Sequence, residues 1–243
     1  MEPLLCTEGL RKNYGDFAAL KHLDLAVHAG EVVGLLGPNG AGKTTSLRCM
    51  AAILTPSGGS ARICGHDTIK EPLAAKRNLG FLSGDTALYQ RLTPREVMQF
   101  FGRLHEMDEA TIAERSQHLI EQLDMTDFAD RQCRTLSSGQ TQRANIARTL
   151  VHDPPVLILD EPTTALDIIS GRFILESIKQ ARADGKAVLF STHIMEEAEY
   201  LCDRVVLIHQ GEVRASGTMA ELREQSGHDR LTAIFLDLIG ETV

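Results

Sequence analysis

Between an apolar stretch, EVVGLL (31–36), and a helical pattern, SLRCMAAIL (46–54), the chain reads Gly37-Pro38-Asn39-Gly40-Ala41-Gly42-Lys43-Thr44-Thr45. This is G-x-x-x-x-G-K-[ST] in a strand–loop–helix setting, and nothing else in the sequence restricts the fold as tightly. Glycines let the backbone curl until successive N–H groups point inward at an anion. The helix that starts there adds its positive dipole end. Such a cradle fits a polyphosphate. Lys43 supplies a mobile cation for its outer phosphates, and the Thr44 hydroxyl is a hard oxygen suited to Mg²⁺. A merely flexible glycine-rich turn would not need the flanking strand and helix.

Short β-branched runs recur at VLILD (156–160), AVLFS (187–191) and RVVLIH (204–209). VLIL lacks polar alternation, as expected of a parallel strand covered on both faces. Ile168, Ile169, Leu175 and Ile178 fall near helical spacing, as do Leu231, Ile234, Phe235, Leu238 and Ile239. Strands alternating with helices predict an α/β core. The middle differs. Thr93-Pro94-Arg95-Glu96 is a helix-start signature with a capping box. Val97, Phe100, Phe101 and Leu104 follow it, and Ile112, Leu119, Ile120 and Leu123 make a second helical pattern. The expected organisation is one domain over 1–243, with an α/β lobe from 1–85 and 151–243 and a helical lobe at 86–150.

Composition narrows the function. With 43% hydrophobic residues in 243, the chain has material for a sizeable core. A net charge of −8 argues against a broad binder of nucleic-acid backbone. No apolar run approaches the ~20 residues of a membrane span. The start, MEPLLCTEGLRKNYG, lacks a signal-peptide pattern. Five cysteines (Cys6, Cys49, Cys64, Cys133, Cys202) without C-x-x-C spacing are expected to be free thiols, as in the cytosol.

Residues 156–162 read VLILDEP. A buried strand ending in Asp160 and Glu161 puts two carboxylates at the sheet's carboxyl edge, where open α/β sheets bind ligands. Asp160 can hold Mg²⁺ through a water, and Glu161 can orient and polarise the water that attacks a γ-phosphate. Pro162 lacks the N–H to continue a ladder.

Leu136-Ser137-Ser138-Gly139-Gln140 precedes a helical run, TQRANIARTLV. Alone, these serines read as helix caps. Together GPNGAGKTT, LSSGQ, VLILDEP, TALD (164–167) and His193 resemble, in order and spacing, the ATP-binding cassette (ABC) family over nearly the whole chain. Ser138 departs mildly from that family's usual LSGGQ. The resemblance implies an α/β P-loop NTPase fold with a mainly parallel core sheet, an N-terminal antiparallel β portion and an inserted α-helical subdomain. It also implies an ATP-hydrolysing subunit in which Lys43, Glu161 and His193 serve catalysis. Two copies, or close relatives, would pair head to tail with two ATP molecules between them. Each ATP would sit on residues 37–45 of one subunit and be covered by Ser137, Ser138, Gly139 and Gln140 of the other. Tyr14 matches the aromatic that stacks on adenine, and Asp167 the acidic residue that reaches across the dimer; Asp167 also suits a cap for the helix starting at Ile168.

One departure is larger. Where the family usually places a glutamine between the lobes, the chain has Phe81-Leu82-Ser83-Gly84-Asp85. Either Ser83 or Asp85 offers Mg²⁺ an oxygen instead, or the site is weakened and Asp85 is a turn residue. The stretch GFLSGDTALYQRLT and the tail LTAIFLDLIGETV resemble ATP-binding subunits of sodium-efflux and related ABC-2-type exporters. The partner implied is an integral membrane permease on a separate chain, docked near residues 83–105, with this chain peripheral on the inner face of the cell membrane. No nucleic-acid partner is expected. An ABC-type ATPase acting on nucleic acid or ribosomes is the alternative, disfavoured by the charge and by the absence of sustained heptads. A phosphate-loop kinase gives LSSGQ and His193 no role.

Overall fold

The computed structural model describes residues 2–84 and 87–240. In chain order the elements are β1 (Leu5–Tyr14), β2 (Phe17–Val27), β3 (Val32–Leu36), α1 (Lys43–Met50), β4 (Gly58–Ile63), β5 (His66–Asp67), α2 (Pro72–Arg77) and β6 (Leu79–Leu82). There follow α3 (Pro94–Leu104), α4 (Glu109–Gln122), a 3₁₀ turn (Cys133–Thr135) and α5 (Ser138–Leu150). The rest comprises β7 (Val156–Asp160), α6 (Ile168–Ala183), β8 (Ala187–Thr192), α7 (Met195–Leu201), β9 (Arg204–His209), β10 (Glu212–Thr218), α8 (Met219–Ser226) and α9 (Leu231–Ile239).

All strands join one sheet in the order β5-β4-β1-β2-β10-β9-β3-β8-β7-β6. The run from β9 to β6 is parallel. β5, β4, β1 and β2 pair antiparallel. The fold class expected from the sequence is therefore observed. Strands β3, β7 and β8 are buried throughout, which is why they read as unbroken apolar runs. Their side chains alternate between the two faces. Val32, Leu157, Leu159, Val188 and Phe190 pack with Val97, Ile120 and Ile146 from the helices. Val33, Leu35, Ile158 and Leu189 pack with Leu47 and Met50 of α1 and with Leu10 and Leu23 of the antiparallel strands.

Among the described residues between β6 and β7 only helical elements and loops occur, and their apolar faces share a core with the sheet. The Thr93 capping box forms as the sequence predicts, with Glu96 N–H donating to Thr93 Oγ1 at 3.2 Å and Thr93 N–H to Glu96 Oε2 at 2.8 Å. The helix expected from Ile168, Ile169, Leu175 and Ile178 forms as α6. Leu175 and Ile178 are buried, whereas Ile168 and Ile169, the first two residues of the helix, are 91% and 80% exposed. All five cysteines are free. Among the described residues no helix is long and apolar enough to cross a membrane.

What positions chemistry here is the order β3-β8-β7. Three neighbouring parallel strands end side by side, and their carboxyl ends carry residues 37–45, His193 and the Asp160–Glu161 pair. Phe190, fully buried in β8, anchors that arrangement. Phe190→Ala is expected to lower the unfolding free energy by about 3–5 kcal/mol, against about 1 kcal/mol for Thr93→Ala, which removes only a cap. Urea titration followed by circular dichroism measures both.

Candidate active site

The loop after β3 is shaped by contacts only glycine permits. A Cβ on Gly37 would lie 2.1 Å from the Ile208 carbonyl oxygen, and one on Gly42 would lie 2.5 Å from that of Ala19. Gly40 and Gly42 have φ of 81° and 106°, a region costly to side chains. Ala41 N–H closes the turn on Pro38 O at 3.2 Å. Pro38, Asn39 and Gly40 are exposed, while Thr44 and Thr45 are half-buried in the first turn of α1. The Lys43 side chain is buried and folds back over the loop. Its Nζ donates to Gly37 O at 2.8 Å and Pro38 O at 3.2 Å, and lies 3.2 Å from Glu161 Oε1.

Glu161 has φ of 47°, a left-handed conformation unusual for a side-chain-bearing residue. Its N–H donates to the Ser191 carbonyl and hydroxyl, each at 3.1 Å, which holds that turn. Its Oε2 accepts from Thr164 Oγ1 at 3.0 Å and lies 3.2 Å from His193 Nδ1. Burial alone would raise the Glu161 carboxyl, but the Lys43 charge and hydrogen bonds from His193, Lys43 and Thr164 outweigh it and hold the group below its ordinary value. Glu161 is therefore ionised at neutral pH. Asp160 is 4% exposed, with Oδ1 accepting from Ser191 Oγ at 2.6 Å.

Asn39, Thr44, Gly84, Gln142, Asp160, Glu161 and Thr164 line one cleft of about 340 Å³. The structure thus brings together the loop, the acidic strand end and His193. Thr44 and Asp160 both line this cleft, and a hydroxyl with a carboxylate is a hard-oxygen pair that fits Mg²⁺, which takes few protein carboxylates and completes its shell with phosphate and water. Asp85, a candidate ligand, lies outside the described residues, although its neighbour Gly84 reaches the cleft.

The signature segment is elsewhere. Ser137 caps α5 in a box with Gln140, whose N–H donates to Ser137 Oγ at 3.3 Å and whose Oε1 accepts from Ser137 N–H at 3.1 Å. Ser137, Gly139 and Gln140 line a separate depression with Asp124, Arg143 and Ser170. None of these residues lines the cleft. A Cβ on Gly139 would meet Ser170 Oγ at 2.6 Å, whereas Ser138 is exposed. The one-residue departure thus falls where a side chain has room. Asp167 caps α6, accepting from the N–H groups of Ile169 at 3.0 Å and Ser170 at 2.9 Å. Tyr14, half exposed, sits at the tip of the β1–β2 hairpin opposite exposed Phe17, with Lys12 Nζ 5.2 Å from its ring centroid.

Three contributors escaped the sequence reading: Ser191, Thr164 and Gln142. Gln142 Nε2 donates to the Pro162 carbonyl, which ties α5 to the loop after β7. Thr164 lies inside the quoted TALD stretch and Ser191 inside AVLFS, but only strand pairing sets Ser191 opposite Asp160.

A family profile described as ABC transporter matches residues 20–164. The chain is 43% identical over 219 residues to the ABC transporter ATP-binding protein NatA of Bacillus subtilis (strain 168), covering 90% of this chain and 89% of that protein. It is 38% identical over 230 residues to the daunorubicin resistance ATP-binding protein DrrA3 of Streptomyces coeruleorubidus, covering 95% and 73% respectively. A solved ATP-binding subunit of an ABC transporter superposes with a TM-score of 0.89 at 29% identity, covering 97% of this chain and 99% of the other. A dimeric ATP-binding cassette in a post-hydrolysis state, bound to ADP and Pi, superposes at 0.79 with 28% identity, covering 88% and 98%. The phosphate cradle, the carboxylates beside it and these relatives lead to one conclusion: the chain belongs to the ABC transporter family, as an ATP-binding and ATP-hydrolysing subunit.

Proposed function

We propose that the chain hydrolyses ATP at the interface of a head-to-tail pair and powers export through a separate integral membrane subunit. One observation carries this reading: the phosphate-facing groups are divided between two depressions with no lining residue in common. The cleft of one subunit is completed by the Ser137–Gln140 segment of the next, whose helix N-terminus and hydroxyls donate to the γ-phosphate. Exposed Ile168 and Ile169 follow Asp167, on the helix whose Ser170 abuts Gly139. An apolar pair beside the signature supports a protein-covered face.

Within the cleft the residues divide the work. The residue 37–45 backbone and Lys43 hold the phosphates, and Tyr14 stacks on the adenine. Thr44 and Asp160 would hold Mg²⁺, which supplies charge neutralisation. Glu161, kept ionised by Lys43, His193 and Thr164, orients a water in line with the γ-phosphorus and accepts its proton. The new P–O bond forms as the bond to the β–γ bridging oxygen breaks, and ADP leaves. His193 keeps Glu161 aimed. Hydrolysis removes the anion both subunits share, and the pair loosens.

The export direction is supported by relatives named for drug resistance and for Nod factor export. Attachment to the inner face of the cell membrane comes through the permease. A tagged chain incubated with detergent-solubilised membranes is expected to recover an integral membrane protein; recovery of nucleic acid alone would favour the ribosomal or nucleic-acid ATPase. Glu161→Gln is expected to retain ATP binding, lose about 10²–10⁴ in turnover and accumulate an ATP-bound dimer on size exclusion. Wild-type turnover in that variant removes Glu161 from the mechanism. Lys43→Ala is expected to weaken ATP binding by roughly 10- to 100-fold, the worth of a charged hydrogen bond, in a fluorescent-nucleotide titration.

A further inference from the structure

Three consecutive residues at the end of β8 divide one task. Ser191 Oγ donates to Asp160 Oδ1 at 2.6 Å. His193, in the loop between β8 and α7, has its side chain 41% exposed and Nδ1 3.2 Å from Glu161 Oε2. Thr192, between them, is 2% exposed. Successive side chains of a strand point to opposite faces, so Thr192 turns away from the side on which Ser191 meets Asp160. Its register partner Leu36 packs there with Met195 and Ala198 of α7. A hydroxyl on that face meets no phosphate, yet it is fully engaged. Thr192 Oγ1 donates to Glu197 Oε2 at 2.7 Å and accepts from Ile194 N–H at 3.0 Å.

Each of these bonds has one direction. A carboxylate accepts only, so the proton shared with Glu197 is the threonine's. With that proton committed, Oγ1 presents a lone pair to Ile194 N–H. The second bond spans His193, from the residue before it to the residue after it, and closes the chain into a tight turn. Glu197 is itself held by the seating of α7. Met195 and Ala198 are buried against Leu36, Leu207 and Ile234. Glu199 Oε1 accepts from Leu231 N–H at 2.6 Å, which caps α9, and the Tyr200 hydroxyl bonds Glu176 of α6. Helix α7 is thus tied to α9 and α6, and Glu197 reaches back to β8 from a fixed frame.

We infer that Glu197 is a positioning residue for ATP hydrolysis: through the Thr192 hydroxyl it fixes the turn that aims His193 at Glu161. The inference rests on the reading above that His193 keeps Glu161 aimed. Glu197 is not part of the lining of the nucleotide cleft, so it acts through its neighbours and not on the substrate. Thr192 is too buried for bulk water to replace a lost carboxylate. A buried donor left unpaired is costly, and the hydroxyl relieves that cost by rotating, which releases Ile194 and the turn. A displacement of about 1 Å at an aligned group can cost about 10²-fold in rate. ATP binding does not depend on this aim, because residues 37–45 and Lys43 hold the phosphates.

The test reads kcat and KM for ATP in the full chain, by steady-state and single-turnover hydrolysis, with thermal unfolding and fluorescent-nucleotide titration as controls. Glu197→Ala and Thr192→Val are each expected to lower kcat by about 10- to 100-fold, while KM and nucleotide affinity stay within about twofold of wild type. Glu197→Gln keeps an acceptor for the Thr192 proton and Thr192→Ser keeps the hydroxyl, so each should retain most of the rate. Thr192→Val preserves the shape of the side chain and decides the matter should Glu197→Ala fail to fold. In a His193→Ala background, Glu197→Ala should cost less than about twofold further, because residues that act as one unit are not additive. A full additional loss in that background makes Glu197 a merely structural residue and overturns the inference. So does wild-type kcat in Glu197→Ala or Thr192→Val, a loss that falls on KM, or an equal loss in Glu197→Gln. Wild-type kcat in His193→Ala instead overturns the reading of His193 on which the inference rests.

Discussion

A buried lysine and a half-buried glutamate hold the site together. Lys43 Nζ and Glu161 Oε1 lie 3.2 Å apart, with side chains 4% and 21% exposed. The buried Lys43 charge would carry a large desolvation cost without that carboxylate. Lys43 is further held by two loop carbonyls, and Glu161 by Thr164 and His193. These partners reach the site from the ends of three different strands. The pair therefore exists only if β3, β8 and β7 are in register, with Leu36 opposite Thr192 and Asp160 opposite Ser191. A slip of one residue would turn every side chain on a strand to the wrong face. The apolar alternation that fixes the register and the chemistry at the strand ends are one constraint.

The same constraint explains what could be read from the sequence. Strands β3, β7, β8 and β9 were visible because a parallel strand covered on both faces is apolar at nearly every position. β1 and β2 were not visible. Each is half-buried and carries charged residues such as Arg11, Lys12 and Lys21, and their pairing is interrupted by register shifts. The helix start at Thr93 was readable from its capping box, whereas the similar box at Thr218 went unread. Contiguous site segments were readable because one stretch of backbone performs one task. Ser191 was not, since its role is created by the strand beside it. Nor was Gln142, which acts on the Pro162 carbonyl 20 residues away.

The signature segment shows how local space decides which departures a motif tolerates. Gly139 lies against Ser170, and a methyl group there would collide with the Ser170 hydroxyl. Ser138 is exposed in the first turn of α5, where a serine side chain meets solvent. Two adjacent positions of a short motif are thus under opposite steric rules. The Ser137–Gln140 box matters for a second reason. It satisfies backbone donors at the helix start and leaves that N-terminus at the surface of its own subunit, available to an anion held by another molecule.

The helix that begins at the glycine-rich loop and the helix that begins at the Ser137–Gln140 segment end at the same apolar groove. α1 starts at Lys43 and is followed by Ile53; α5 is capped by Ser137 and reaches Arg148 and Thr149; Ile53, Arg148 and Thr149 all line the apolar groove. At 1.5 Å per residue, the 13 residues of α5 span about 20 Å. A helix is a stiff element, and tightly packed interiors transmit displacement better than they absorb it. A displacement at the start of either helix is therefore carried to the wall of this groove.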